Sequence, residues 1–411
     1  MTSRPRLGYL VPRFPGQTHT SAWSEIAALE ERGVDVVILS TRLPDPVRMP
    51  HEWGRIARMR TTCLGDAGPL AFLRGLPALP LGALLGRERG LAAQILTALG
   101  PAARLAALSR KRGFRHVHVR GAGEGALIAA LAQRMGGPGY SIHLPGPLSS
   151  GGPGQNFKWH GARFATVATA RVLNEIRFVL RGDLPMRVAV RPAGIDTGFF
   201  RRDSPYVAPR RGEVLRLFAC GALEPGKGFD DLLKAVRMML DRGCDLKLAI
   251  AGAEAEDSPG QHARLAALIG ELRLGRHVTL AGACDAGAVR ESLLAAHVFV
   301  LPSWQEPLGT ALMEAMACGV PSVATAAGGV RELARDGREA LLVQPKRPEA
   351  LARAILRITD DGELARHLST MARARIVADF DAVGGAELLM REVGFLPMDD
   401  HGDPLVTALP P

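Results

Sequence analysis

Leu215-Arg-Leu-Phe-Ala-Cys220, a helical pattern over Phe229–Leu240, and Leu246-Lys-Leu-Ala-Ile-Ala251 set the rhythm of this chain: a short β-rich run, a helix, a second β-rich run. Strands separated by helices belong to parallel sheets joined by right-handed crossovers, because no tight turn can join a parallel pair. Downstream, the same reading predicts a helix over His262–Leu272. Strands follow over His277–Ala281, Val298–Pro302, Pro321–Thr325 and Ala340–Val343. The rhythm is also present upstream. Leu7–Val11 and Val34–Ser40 read as buried strands around a helix whose apolar positions are Trp23, Ile26, Ala27 and Leu29, stopped by Gly33. His116–Val119, Tyr140–His143, Ala165–Ala168 and Arg187–Arg191 extend that series, with a helix at Ala126–Met135.

A Pro/Arg-rich stretch, Phe199–Arg211, separates the two series. The expected organisation is a doubly wound α/β domain over 1–198, a linker over 199–213 and a second such domain over 214–378. A helical segment over 379–396 and a tail over 397–411 complete it. In such domains ligands bind where the C-terminal ends of the strands open. Two segments depart from the rhythm. Ala71–Arg112 is rich in Leu, Ala and Arg, helical in pattern, and expected to break at Pro77, Pro80 and Pro101. Gly136–Gln155 is rich in Gly, Pro and Ser and reads as a long flexible loop.

With 411 residues, 47% apolar and 22% charged, the chain has the composition of a globular protein of two or three domains. Its most apolar uncharged run, Gly75–Gly86, is shorter than the ~20 residues a spanning helix needs, so no single-pass anchor is expected. Pro12 and Arg13 interrupt the first apolar run, which argues against a signal peptide. Cys63, Cys220, Cys244, Cys284 and Cys318 lie far apart without a CxxC pair, as suits a reducing, cytoplasmic setting. The net charge of +10 is carried mostly by arginine. It reflects either anionic partners or a genome that encodes arginine freely. Nucleic acid is the partner least expected, because aromatic residues make up only 5% and none interleave with basic ones. The basic Ala71–Arg112 stretch suits either peripheral contact with the inner face of a membrane or a surface helical insertion.

Chemistry concentrates in Val298–Leu342, which contains Glu306-Pro-Leu-Gly-Thr-Ala-Leu-Met-Glu314. A strand ends near Pro302, and Pro307 and Gly309 keep the chain irregular. A helix then starts near Thr310 and stops at Gly319 and Pro321. Glu306 therefore precedes the helix and Glu314 lies about one turn inside it. Free N–H groups at such a start attract a phosphate, and flanking carboxylates can take hydroxyls, which describes a sugar-nucleotide pocket. Two acids that merely favour a helix N-terminus would give the same spacing.

The two glutamates are followed by Ala-Met-Ala-Cys-Gly-Val-Pro and by Gly328-Gly329-Val-Arg-Glu332. Together they resemble the signature of family 4 glycosyltransferases. The likeness extends to Cys220-Gly-Ala-Leu-Glu-Pro-Gly-Lys227-Gly228, Gly194-Ile-Asp196, and Pro12-Arg-Phe-Pro-Gly-Gln-Thr-His19. With His116-Val-His118, the N-terminal pattern is similar to exopolysaccharide-type members. The resemblance implies a GT-B fold: two Rossmann-like domains facing a cleft, the first taking the acceptor and the second the nucleotide sugar. Sugar is then transferred with retention and without a metal cofactor.

Residue by residue, the resemblance places Glu306 and the strand-end histidine His143 beside the reacting sugar. It places Glu314 on the ribose and Lys227, Gly309 and Thr310 on the donor diphosphate. Gly16 and His19 fall on the acceptor side. Two positions depart from the pattern: Ala222 stands where members usually have arginine, and Gly146 where many have aspartate. A nucleotide-sugar epimerase of the same fold and a non-catalytic nucleotide-sugar binding protein remain as rival readings.

Three further motifs read structurally. Gly121-Ala-Gly123-Glu-Gly125 resembles a dinucleotide turn, but no acid occurs between Glu124 and Glu175, so a tight turn is expected. His116 and His118 share one face of a strand and lack a third metal ligand nearby. Asp379-Phe-Asp381 opens a helical segment and reads as a cap.

Overall fold

The computed structural model describes residues 4–16, 19–43, 51–65, 67–80, 82, 88–254 and 258–397. Two compact units divide the chain. The first holds residues up to Gly194 together with the segment from Ala382, and the second is Ile195–Asp381. The expected tail lies, from residue 398 onward, outside the described residues.

In the first unit the strands are β1 (Arg6–Leu10), β2 (Asp35–Ser40), β3 (Thr62–Cys63), β4 (His116–Arg120), β5 (Gly139–Leu144), β6 (Ala165–Val167) and β7 (Val188–Val190). They pair in the order β3-β2-β1-β4-β5-β6-β7, all parallel. Helices α1 (Thr20–Glu31), α2 (Glu52–Arg60), α3 (Pro69–Gly75), α4 (Leu91–Arg112), α5 (Glu124–Arg134), α6 (Gln155–His160) and α7 (Ala170–Leu180) connect them. Alternate strand residues face opposite ways, so two cores form. Val37 and Leu39 join Leu105, Leu127 and Trp159 on one face; Val36 and Ile38 join Ile26 and Phe164 on the other.

Two expectations fail here. Pro101 does not break its helix: α4 runs through it, because Ile95, Ala98, Leu99, Ala102 and Leu105 on both sides of the proline bury in one core. That burial outweighs one missing hydrogen bond. By length and composition α4 could cross a membrane, but these apolar positions are spent inside the unit. Nor is Gly136–Gln155 a flexible loop. It contains β5 and a 3-10 turn at Leu148–Gly151, fixed by Leu148 N on Glu175 Oε1 (3.0 Å) and Gln155 Nε2 on Ala122 O (3.1 Å). Gly121-Ala-Gly123-Glu-Gly125 forms a tight turn between β4 and α5. A Cβ on Gly125 would stand 3.2 Å from Val119 Cγ1.

The second unit contains β8 (Leu215–Cys220), β9 (Leu246–Ala251), β10 (Val278–Gly282), β11 (Val298–Leu301), β12 (Ser322–Thr325) and β13 (Leu341–Val343), ordered β10-β9-β8-β11-β12-β13 and parallel throughout. Helices α8 (Phe229–Asp241), α9 (Gln261–Glu271), α10 (Ala286–Ala295), α11 (Thr310–Ala317), α12 (Val330–Leu333), α13 (Pro348–Asp360) and α14 (Gly362–Asp379) flank the sheet. Phe200 and Tyr206, from the stretch read as a linker, are buried in this unit's cores. Of Asp379-Phe-Asp381, Asp379 ends α14 and pairs with Arg375 four residues earlier, while Asp381 directly precedes the helix that starts at Ala382. The helical segment expected over 379–396 holds α15 (Ala382–Val393), which belongs to the first unit. Its Ala386, Leu389 and Met390 share a core with Ile26 and Leu29 of α1, and Arg32 Nη2 lies 3.1 Å from Glu387 Oε1.

Candidate functional site

In the second unit, β8 and β11 are neighbours, so the turns at their C-terminal ends meet although 79 residues separate them. The contact is close. Gly228 (φ +64°) leaves no room for a Cβ, which would stand 2.2 Å from Pro302 O, and Trp304 N donates to Gly226 O (2.8 Å). This approach delivers Lys227 Nζ to Glu306 Oε2 at 2.8 Å; Ser303 Oγ donates to the same oxygen at 3.0 Å. Glu224 Oε1 lies 3.9 Å from the ammonium on another side, so the cation is flanked by two carboxylates. The Glu306 backbone is held in turn by Gly329 N on Glu306 O (3.0 Å). Gly328 (φ +57°) packs so tightly there that a Cβ would lie 1.9 Å from that oxygen.

Gly309 (φ +103°) is the N-cap of α11, and Met313 N bonds back to Gly309 O (3.0 Å). The N–H groups of Thr310, Ala311 and Leu312 precede that bond and have no carbonyl within the helix. Glu314 sits one turn in and is itself buried. Burial pushes its carboxyl from 4.5 up to about 8. The Cys220 thiol is raised too, first by burial and then by the neighbouring Glu314. A lysine, a helix start and two acids at the C-terminal end of the sheet can hold an anion and hydroxyl groups together.

In the first unit, His143 lies on β5 with Nδ1 2.9 Å from Thr166 Oγ1, while its buried Nε2 has no partner among the described residues. Its pKa falls well below the ordinary value because burial, then the Arg120 and His118 charges, oppose protonation. His19 stacks on Phe14 (5.7 Å), donates its backbone N–H to Gly16 O (3.1 Å), and leaves Nδ1 buried and unpartnered. Burial and Arg120 lower its pKa to about 4, so the ring is neutral near pH 7. Residues 17 and 18, between Gly16 and His19, lie outside the described residues. His116 and His118 are core groups: both rings share Ser141 Oγ, at 2.9 and 2.8 Å. Lys158 is fully buried with Nζ on Gly151 O (2.8 Å), so it belongs to no solvated basic face.

Residues 206–375 match the family model described as "Glycosyl transferases group 1", and they contain Lys227, Glu306 and Glu314. That segment, less than half of the chain, is similar to glycosyltransferases of this group. A D-inositol 3-phosphate glycosyltransferase of Acidothermus cellulolyticus is 34% identical over 193 residues, 44% of this chain and 43% of that relative. One from Streptomyces griseus subsp. griseus is 31% identical over 217 residues, covering 52% and 45%. The chain thus matches less than half the length of these two relatives.

Among solved structures, a sucrose-phosphate synthase from Thermosynechococcus elongatus superposes with a TM-score of 0.71 at 21% identity, covering 95% of this chain and 99% of that one. Anabaena HepE in complex with UDP-glucose gives 0.72 at 17%, covering 95% and 100%. At these identities the likeness concerns the fold: two Rossmann-like parallel sheets, the GT-B glycosyltransferase architecture.

Sequence reasoning missed one constellation in the first unit. At the end of β4, Arg120 Nη1 reaches Glu25 Oε2 (3.3 Å) and Tyr9 Oη (3.4 Å), and Nη2 reaches Ser21 Oγ (3.1 Å); Tyr9 also donates to Glu25. Its members come from β1, α1 and β4, so no local spacing announces it.

Proposed function

We propose that the chain transfers a sugar from a nucleotide-sugar donor to an acceptor hydroxyl, with retention of configuration. The observation that carries this reading is Lys227 held against Glu306 beside the open start of α11, inside the region that matches the glycosyltransferase family. Lys227 and the N–H groups at Gly309 and Thr310 take the donor diphosphate, and Glu314 takes the ribose hydroxyls. As the bond from the sugar's anomeric carbon to the diphosphate breaks and the bond to the acceptor oxygen forms, charge grows on the departing diphosphate, which takes the proton released by the acceptor hydroxyl. A fixed ammonium and a helix start stabilise that charge without reorganising. Glu306 and His143, whose Nε2 has no protein partner, are the assigned contacts to the sugar. Gly16 and His19 are assigned to the acceptor side. No described group of three His, Cys, Asp or Glu residues is placed to hold a metal, and the assigned chemistry requires none.

Relatives named for inositol phosphate and a neighbour solved with UDP-glucose support a hexosyltransferase whose acceptor is a glycan, a lipid-linked compound or a natural product. A cytoplasmic setting with peripheral membrane contact through the basic first unit completes the reading.

The test is Lys227→Ala with nucleotide sugars in titration calorimetry. A charge-assisted hydrogen bond contributes about 1.5–3 kcal/mol, so donor affinity should fall about tenfold or more. Unchanged donor affinity in a folded variant would remove Lys227 from the diphosphate and with it the proposed site.

A further inference from the structure

We propose that α3, with the adjoining flank of α4, is a docking face for an anionic lipid bilayer. This rests on the peripheral contact proposed above and is independent of the reaction. On α3 and the turn after it, Leu70 and Leu73 are 60% and 58% exposed, and Phe72 and Leu76 are also exposed. They recur at three- and four-residue spacing on one short element. The inner side of that element is seated on α4: a Cβ on Gly75 would stand 3.1 Å from Leu99 Cβ, and one on Gly100 3.8 Å from Phe72 N. Leu96, one turn before Gly100, is exposed as well. Clustered exposed aliphatic groups mark an interaction surface.

Charge identifies the partner. Residues 69–112, from the start of α3 to the end of α4, contain seven Arg and Lys against one acid, Glu88, a net charge of six. Arg74 on α3, Arg89 before α4, and Arg110, Lys111 and Arg112 at its end are all exposed. No acid occurs between Pro69 and Pro80. Leucine and phenylalanine enter the acyl boundary while arginines bury their stems and leave their heads at lipid phosphates. The unbalanced charge favours an anionic bilayer over a neutral one or a second copy of this basic chain.

The experiment is cosedimentation of the full chain with vesicles of phosphatidylcholine alone or mixed with phosphatidylglycerol, at low and high salt. The expected result is binding to the mixed vesicles at low salt, weakened by salt and slight on neutral vesicles. The Leu70→Glu/Leu73→Glu double variant and Arg74→Glu should each bind less, the double variant by about tenfold or more. These side chains are exposed, so far-UV dichroism and melting should match the parent protein. Parent protein left in the supernatant, equal binding to neutral vesicles, or folded variants that bind like the parent would each overturn the proposal. A dimer that the double variant dissociates would do so as well, by assigning the face to a second copy. Failure of glycosyl transfer with vesicle binding intact would instead count against the proposed reaction alone.

Discussion

Glu314 is a buried acid one turn into α11, and its two expected behaviours follow from that position. Its pKa stands at about 8 in the fold against 4.5 ordinarily. Between those values the unfolded chain ionises the group while the folded one keeps the proton. The stabilising contribution is therefore complete below about pH 4.5 and is lost as pH rises toward 8. Each pH unit in that window removes up to about 1.4 kcal/mol. Urea denaturation across the window should show Glu314→Gln with a flatter pH dependence than the parent; parallel curves would contradict the burial argument.

The second expectation concerns binding. Glu314→Ala should weaken nucleoside diphosphate and nucleotide sugar alike, by about 0.5–1.5 kcal/mol for a carboxyl that keeps its proton near pH 7, whereas Glu306→Ala should spare the free nucleotide and impair the complete donor. Equal nucleotide affinity in both variants and the parent, measured by calorimetry, would refute the ribose assignment. Both glutamates and Lys227 were legible because each sits in a local motif. The 2.8 Å pairing of Lys227 with Glu306 was not, because it depends on β8 and β11 being neighbours. The Arg120–Glu25 contact, 95 residues apart, was hidden for the same reason.

At the scale of the element, α11 is fixed from its far end. Arg373 Nη1 donates to Ala317 O (2.8 Å) and Phe200 O (2.7 Å), and Nη2 to Thr197 O (3.0 Å). Arg202 Nε takes Cys318 O at 3.2 Å. Positive groups on the last carbonyls of a helix satisfy orphan acceptors and favour its dipole. Arg373→Ala should therefore cost about 2–4 kcal/mol in urea denaturation and weaken nucleotide binding, with Arg373→Lys partly restoring stability. A loss below about 0.5 kcal/mol would show that α11 is held by its apolar face alone.

Elements of this kind were read well wherever the pattern is local: β8 and β9 fall where the sequence places them, and the other strands of that sheet within a residue at either end. The reading failed where tertiary burial overrides a local signal. Pro101 carries a helix-breaking signature, yet the core on both sides keeps α4 continuous. The Gly/Pro composition of 136–155 predicts looseness, but Glu175 and Ala122 supply the bonds that fix it.

For the whole molecule, the alternation of strands and helices was enough to specify two doubly wound units. It could not show that α15 returns to α1, because that choice depends on matching apolar faces more than 350 residues apart. The measurement that tests the central claim is a transfer assay with the full chain. Panels of nucleotide sugars and of glycan, inositol phosphate and lipid-linked acceptors are incubated with a chelator present, and both products are followed by mass spectrometry and NMR. The account predicts that at least one pair yields nucleoside diphosphate and glycosylated acceptor in equal amounts, with the donor's anomeric configuration retained and the chelator without effect. A donor that binds but is never consumed, is epimerised without transfer, or reacts only when a divalent metal is restored would contradict it.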